Sequence, residues 1–146
     1  MVNILVIGSG AREHAIIKSL NKSKREKEIY CLASNNNPGI SDICKEMKII
    51  DINDAQLIKD YSIKQSINIA IIGPENPLAY GVADSLWEVG IGVVGPKKNL
   101  AQIETSKSFT RNLLREYKIP GCPKFKTFIN MEGVEDFLSV LGDNYV

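Results

Sequence analysis

The sequence predicts an α/β protein, a parallel β-sheet with helices on both faces. Three observations carry this. The chain opens on an unbroken aliphatic run, Ile4-Leu5-Val6-Ile7, which stops at Gly8-Ser9-Gly10 and passes into a helical pattern. Short aliphatic runs then alternate with amphipathic segments, as strand–helix–strand units do. The strands are continuously apolar, as expected when both faces of a strand are covered. Right-handed crossovers place every strand's carboxyl end on one rim, and ligands of open α/β sheets bind along that rim.

The elements follow in order. Ile4–Ile7 is a buried strand and Glu13–Leu20 a helix. The basic stretch Asn21–Lys27 is a solvated loop or frayed helix end. Ile29–Ala33 is the second strand, and Ser34-Asn35-Asn36-Asn37-Pro38-Gly39 has the chemistry of a loop. Met47–Ile50 is a short strand. Asp51 or Asn53 is placed to cap a helix over Ala55–Gln65, which buries Leu57, Ile58, Tyr61 and Ile63. Ile67–Ile72 is a strongly apolar strand, broken by Gly73-Pro74-Glu75-Asn76-Pro77. A helix over Leu78–Val89 and a strand over Gly92–Val94 come next, ending at Gly95-Pro96. A helical stretch, Leu100–Tyr117, carries a candidate break near Thr105. Lys124–Phe128 is a strand candidate, Glu132–Leu141 a helix, and Tyr145-Val146 the opening of one more strand. The loops at Gly8, Asn35, Gly73 and Gly95 share the carboxyl rim.

Bulk composition narrows the function classes. With 146 residues and a 44% hydrophobic fraction, the chain can build one sizeable core. Lys plus Arg 18 against Asp plus Glu 17 leaves a net charge of +1. That balance argues against nucleic acid as a partner. No apolar run approaches the roughly 18–20 residues that span a bilayer, and Met1-Val2-Asn3 lacks the basic leader of a signal peptide. Cys31, Cys44 and Cys122 match neither a zinc spacing nor a disulfide framework. Reduced thiols in a cytoplasmic protein are expected.

The first loop carries the clearest chemistry. A glycine turn before a helix collects free backbone N–H groups and the positive end of the helix dipole at one point. Arg12 stands beside it, and a guanidinium forks onto phosphate oxygens. Gly8-Ser9-Gly10-Ala11-Arg12-Glu13 has the first two glycines of a dinucleotide fingerprint, but Glu13 holds the third position. Ser34 and Asn35 follow the second strand where a ribose-binding carboxylate belongs. Both departures weigh against a nicotinamide cofactor. Glu13 fits two roles, a first-turn carboxylate that complements the dipole or an acceptor for a ligand amine or hydroxyl. His14, the single histidine, reads as a helix-face residue rather than a catalytic one. Glu75, held between two prolines, is either a solvent-facing cap or an acceptor for a sugar diol.

These residues together resemble the phosphoribosylamine–glycine ligase family. Its opening G-x-G-[GA]-R-E-H-A loop is present as Gly8-Ser9-Gly10-Ala11-Arg12-Glu13-His14-Ala15. Its G-P-E-x-P-L loop is Gly73-Pro74-Glu75-Asn76-Pro77-Leu78, followed by Gly81 and Asp84. Its third motif is Gly95-Pro96, then Ala101, Glu104, Ser106, Lys107 and Phe109, with Arg111 in place of the usual lysine. Tyr117-Lys118-Ile119-Pro120 also fits. The Asn35–Gly39 segment matches the family's asparagine–proline–glycine loop only loosely.

The resemblance implies a Rossmann-like pre-ATP-grasp domain over residues 1–104. A linker helix and the start of an ATP-grasp domain would occupy 105–146. It implies an ATP-dependent carbon–nitrogen ligase of purine biosynthesis that joins glycine to 5-phosphoribosylamine, giving glycinamide ribonucleotide, ADP and phosphate. ATP and magnesium, or manganese, are the implied cofactors. Gly8, Gly10, Ala11 and Arg12 would form the phosphate end of the phosphoribosylamine site, with Gly73 and Pro74 in the facing loop. Glu13 and Glu75 would hold the amine or the ribose hydroxyls, with Asn37 on the same rim. Lys107 would lie near the ATP phosphates; without the resemblance it reads as an exposed helix lysine. Family members are several hundred residues long. The glycine-rich nucleotide lid, the metal-binding carboxylates and the R-L-G-D-P-E signature are missing from these 146 residues. The chain is therefore expected to bind phosphoribosylamine without catalysing. Competing readings are a related ATP-grasp ligase or carboxylase, and a stand-alone nucleotide-binding or regulatory module.

Overall fold

The computed structural model describes residues 1–143. By contacts the chain divides into two units, one over Met1–Thr105 and one beginning at Ser106. The first unit holds a five-stranded sheet, β1 (Val2–Ile7), β2 (Lys27–Ala33), β3 (Glu46–Ile49), β4 (Ile69–Ile72) and β5 (Gly92–Val94). Its spatial order is β3-β2-β1-β4-β5, and all four pairings are parallel. β1 is central, with Ile4 opposite Ile29 on one side and Ile69 on the other. That position explains its unbroken apolar run, since each side chain meets a covered face.

Successive β1 side chains feed two cores. Leu5 and Ile7 join Tyr30, Leu32, Ala70 and Ile72 on one face, under Ile58 and Tyr61 of α3 (Ala55–Lys64) and Leu86 of α5 (Val82–Glu88). Val6 joins Cys31 and Ala33 on the other, under Ile17 of α1 (Ala11–Asn21) and Ile40 of the short α2 (Pro38–Ser41). Leu5, Val6, Ile7, Ile17 and Leu86 are fully buried. Each such aliphatic side chain contributes roughly 1.5–3 kcal/mol relative to exposure.

Several elements differ from expectation. α3 is capped by Asp54, whose carboxylate accepts the Leu57 N–H at 2.9 Å, rather than by Asp51 or Asn53. Asp51 instead accepts the Asn53 N–H within the preceding turn. α3 turns Ile58, Tyr61 and Ser62 inward and leaves Leu57 and Ile63 exposed. The expected Leu78–Val89 helix is two helices, α4 (Glu75–Ala79) and α5, because Gly81 takes the left-handed conformation at φ 83° between them. The Asn35–Gly39 loop closes early into α2, with Pro38 in its first turn. The expected break near Thr105 falls between α6 (Lys98–Thr105) and α7 (Lys107–Glu116).

In the second unit Ser106 caps α7 by accepting the Phe109 N–H. α8 spans Val134–Leu141. Residues 124–128 form no strand. Their rings pack instead, Phe125 under the Arg115 guanidinium at 5.1 Å and Phe128 against Phe137 at 5.9 Å between centroids. The strand expected at Tyr145-Val146 lies outside the described residues. Among the described residues no helix is long and apolar enough to cross a membrane.

Candidate functional site

The carboxyl ends of β1, β2 and β4 meet at one rim. The sheet ladder continues one residue past β1 and β4, as the Gly8 N–H donates to Leu32 O at 2.8 Å and the Gly73 N–H to Ile7 O at 3.1 Å. The chain then has to leave the sheet sharply. Gly8 does so at φ 117°, a conformation side chains rarely adopt. Gly10 is the N-cap of α1, and the first bond inside the helix runs from the His14 N–H to Gly10 O. The amides of Ala11, Arg12 and Glu13 precede that bond, so they are the donors a helix start leaves open.

Two adjoining concavities flank this helix start. One of about 280 Å³ is lined by Gly10, Ala11, Arg12, Glu13, Pro74 and Glu75. The other, about 530 Å³, runs from Gly8, Ser9 and Gly10 across to Ser34, Asn35, Asn53 and Asn76. The first combines open amides with a guanidinium. The second has an uncharged polar far wall of hydroxyl and amide groups. An elongated ligand with an anionic end and a neutral, hydroxyl-rich end is complementary to the pair.

The expected site residues fall into three groups. Gly8, Gly10, Ala11, Arg12, Glu13, Gly73, Pro74 and Glu75 come together at this rim, and Glu75 is exposed in the first turn of α4. Three of the expected ligand-binding side chains also bond to loop backbone. Arg12 Nη1 donates to Gly73 O at 2.6 Å, Glu13 Oε2 accepts the Gly10 N–H at 2.6 Å, and Asn37 Nδ2 donates to Ser9 O at 2.9 Å. Arg12 is exposed, so its remaining donors face solvent. Glu13 is only 5% exposed. Lys107 belongs to the second unit, exposed at the first position of α7. A lysine there adds positive charge to the positive end of a helix, which an incoming anion would relieve.

Ser9, Ser34, Asn35, Asn53 and Asn76 line the larger concavity; the sequence puts the Asn35 loop on this rim but assigns none of the five to a ligand. Asn76 sits inside the Gly73–Pro77 loop and could have been named on that ground. Asn53 read as a helix cap; its buried Oδ1 has no hydrogen-bond partner. His14 packs its ring on Gly39, where a Cβ would come within 2.5 Å of the ring, which accounts for that glycine. Asp84 Oδ2 accepts the Lys98 N–H at 2.8 Å and so starts α6. Beneath the turn the Cys31 thiol donates to Gly8 O at 3.3 Å, and burial pushes it up to about 12. It is a packing group, not a nucleophile. Among the described residues no group of three or more His, Cys, Asp or Glu could hold a metal ion.

The phosphoribosylglycinamide synthetase N domain matches residues 2–104. The phosphoribosylamine–glycine ligase of Methanosarcina barkeri is 43% identical over 142 residues, 97% of this chain and 33% of that protein. The chain thus spans about a third of the length of the curated relatives it matches. Among solved structures, phosphoribosylglycinamide synthetase from Anaerococcus prevotii aligns with TM-score 0.63 at 14% identity, covering 97% of this chain and 35% of that one. N5-carboxyaminoimidazole synthetase from Staphylococcus aureus, solved with ADP, aligns with TM-score 0.72 at 14% identity, covering 97% and 36%. Both likenesses concern the fold. The match over residues 2–104 takes in well over half of the chain, which therefore belongs to the phosphoribosylglycinamide synthetase N-domain family.

Proposed function

We propose that the first unit is the phosphoribosylamine-binding part of an ATP-dependent ligase that joins glycine to 5-phosphoribosylamine. The observation that carries this is the helix start at Ala11 and Arg12. Unpaired amides, the dipole end and an exposed guanidinium converge there on a concavity bounded by Pro74 and Glu75. A phosphate dianion placed there meets charge-assisted donors from backbone and side chain together. The ribose then extends toward Glu75 and Asn76, whose oxygens can accept its hydroxyl protons. This holds the amine-bearing carbon at the rim, the geometry needed to present an amine to an activated acyl group.

ATP would supply a phosphoryl group to the glycine carboxylate, with Lys107 the described residue that would meet its phosphates. Among the described residues no cluster could hold a metal ion. The free thiols fit a reducing, cytoplasmic setting.

Calorimetric titration tests the reading. Ribose 5-phosphate binds the 146-residue chain, and ribose or inorganic phosphate alone binds more weakly. No ADP is released when ATP, glycine and phosphoribosylamine are supplied together. Equal binding of ribose and ribose 5-phosphate would contradict the assignment of the phosphate end.

A further inference from the structure

Glu13 is buried beside a site read as binding an anion, which is electrostatically unfavourable unless the carboxylate has another task. Its surroundings point to one. Oε2 takes the Gly10 N–H at 2.6 Å, reaching back from the third helical position to the N-cap. A Cβ on Gly8 would come within 2.9 Å of its Cγ and Cδ, and one on Gly10 within 2.9 Å of Oε2. A Cβ on Gly73, in the other loop, would overlap Oε1 and come within 2.5 Å of Cδ. Gly10 has φ −77°, and Gly73 is not among the glycines of positive φ. Their backbones would accept any residue. What a side chain at residue 73 would have to displace is the Glu13 carboxylate, seated in the hole that the glycines leave between two loops; at residue 10 it would only press on Oε2. Arg12 straps the same loops through Gly73 O from the solvent side.

We propose that Glu13, in the wall of both concavities, is a positioning residue, whose buried carboxylate clasps the glycine turn of β1 to the Gly73 loop of β4 and sets their separation rather than serving as the ligand's acceptor. The clasp fixes where the open amides of Ala11 and Arg12 stand relative to Pro74 and Glu75. It consumes the Gly10 N–H, so the ligand is left the amides that follow. The part of this inference that concerns ligand affinity rests on the phosphoribosyl reading above; the part that concerns the loops does not.

The test has two readouts on the 146-residue chain. Amide hydrogen exchange without ligand reports the clasp. The Gly10 N–H is protected in the parent protein and stays within about tenfold of that protection in Glu13→Gln, which keeps an oxygen acceptor of the same size. Gly73→Ala, which leaves Glu13 present but fills its seat, lowers the protection of Gly10 by more than about tenfold, although residue 73 makes no bond to Gly10. Titration with ribose 5-phosphate reports the consequence. Glu13→Ala and Gly73→Ala each weaken binding about tenfold, the double variant is little worse than either, and Glu13→Gln restores affinity to within about threefold. Should Glu13→Ala not fold, the other two variants carry the same comparison. Unchanged Gly10 protection in Gly73→Ala overturns the clasp. So does Glu13→Gln binding as weakly as Glu13→Ala while Gly10 stays protected, because the charge would then be meeting the ligand. Failure of the parent chain to bind ribose 5-phosphate would overturn the phosphoribosyl reading and leave the exchange result to decide the clasp.

Discussion

Replacing Arg12 by alanine separates the anion-binding role of the rim from its architecture. The guanidinium has five donors, and one of them, Nη1, is spent on Gly73 O at 2.6 Å. The side chain is otherwise exposed. Losing the strap costs little stability, on the order of 0.5–1 kcal/mol for a hydrogen bond that water can replace. Losing the fork onto a phosphate costs more, about 1.5–3 kcal/mol for charged hydrogen bonds. At 1.4 kcal/mol per factor of ten, that is roughly a 10- to 150-fold rise in Kd for ribose 5-phosphate. The loss should shrink at high salt, because the charge is exposed and screened. Calorimetric titration at two ionic strengths, paired with urea denaturation, reads both quantities. An affinity change below about threefold with unaltered stability would show that phosphate does not reach this side chain, and the reasoning from the helix start would fail.

Three further outcomes are expected. Asp54→Ala removes the cap of α3 and should cost about 1 kcal/mol in chemical denaturation; the same loss from Asp51→Ala but not Asp54→Ala would contradict the cap. Tyr61→Phe removes the hydroxyl that donates to Glu46 Oε2 at 2.7 Å, the main reason the Glu46 carboxyl lies below its ordinary value. A carboxylate with a depressed folded value stabilises above its unfolded value and loses that contribution as pH falls through the folded one. The penalty of about 0.5–1.5 kcal/mol should therefore be full at pH 7 and fade below about pH 4.5; a penalty independent of pH would refute the pairing. Burial pushes the Cys31 thiol up to about 12 and Cys44 up to about 11. Native alkylation at pH 8 should leave both largely unmodified until denaturant is added, as mass spectrometry of the labelled peptides would show.

Much of the sheet was legible because its inner strands are buried, so Ile4–Ile7 and Ile29–Ala33 read as apolar runs between turn residues; the edge strand Gly92–Val94, only partly buried, is marked by the Gly95-Pro96 turn that ends it. Strand order was not legible, since nothing local records that β1 pairs with β4 across more than sixty residues. The Leu78–Val89 helix was read as continuous because the left-handed turn at Gly81 depends on the packing of α4 and α5 against their neighbours. Lys124–Phe128 is a strand candidate by sequence, yet its rings serve side-chain packing with Arg115 and Phe137. At the site, the motif residues of both loops lie together at the rim. Their directions depend on partners far along the chain. Arg12 bonds a residue 61 positions away and Asn37 one 28 positions away. Residue type and spacing cannot tell a side chain aimed at a ligand from one aimed at a neighbouring loop.

The claim on which the account stands is that the start of α1 receives the phosphate of a pentose ester. A crystal soaked in ribose 5-phosphate tests it most directly. Phosphate density is expected within hydrogen-bonding distance of the Ala11 and Arg12 amides, with the sugar directed toward Glu75 and Asn76. Density for the ester elsewhere, with those amides bonded only to water, would contradict it.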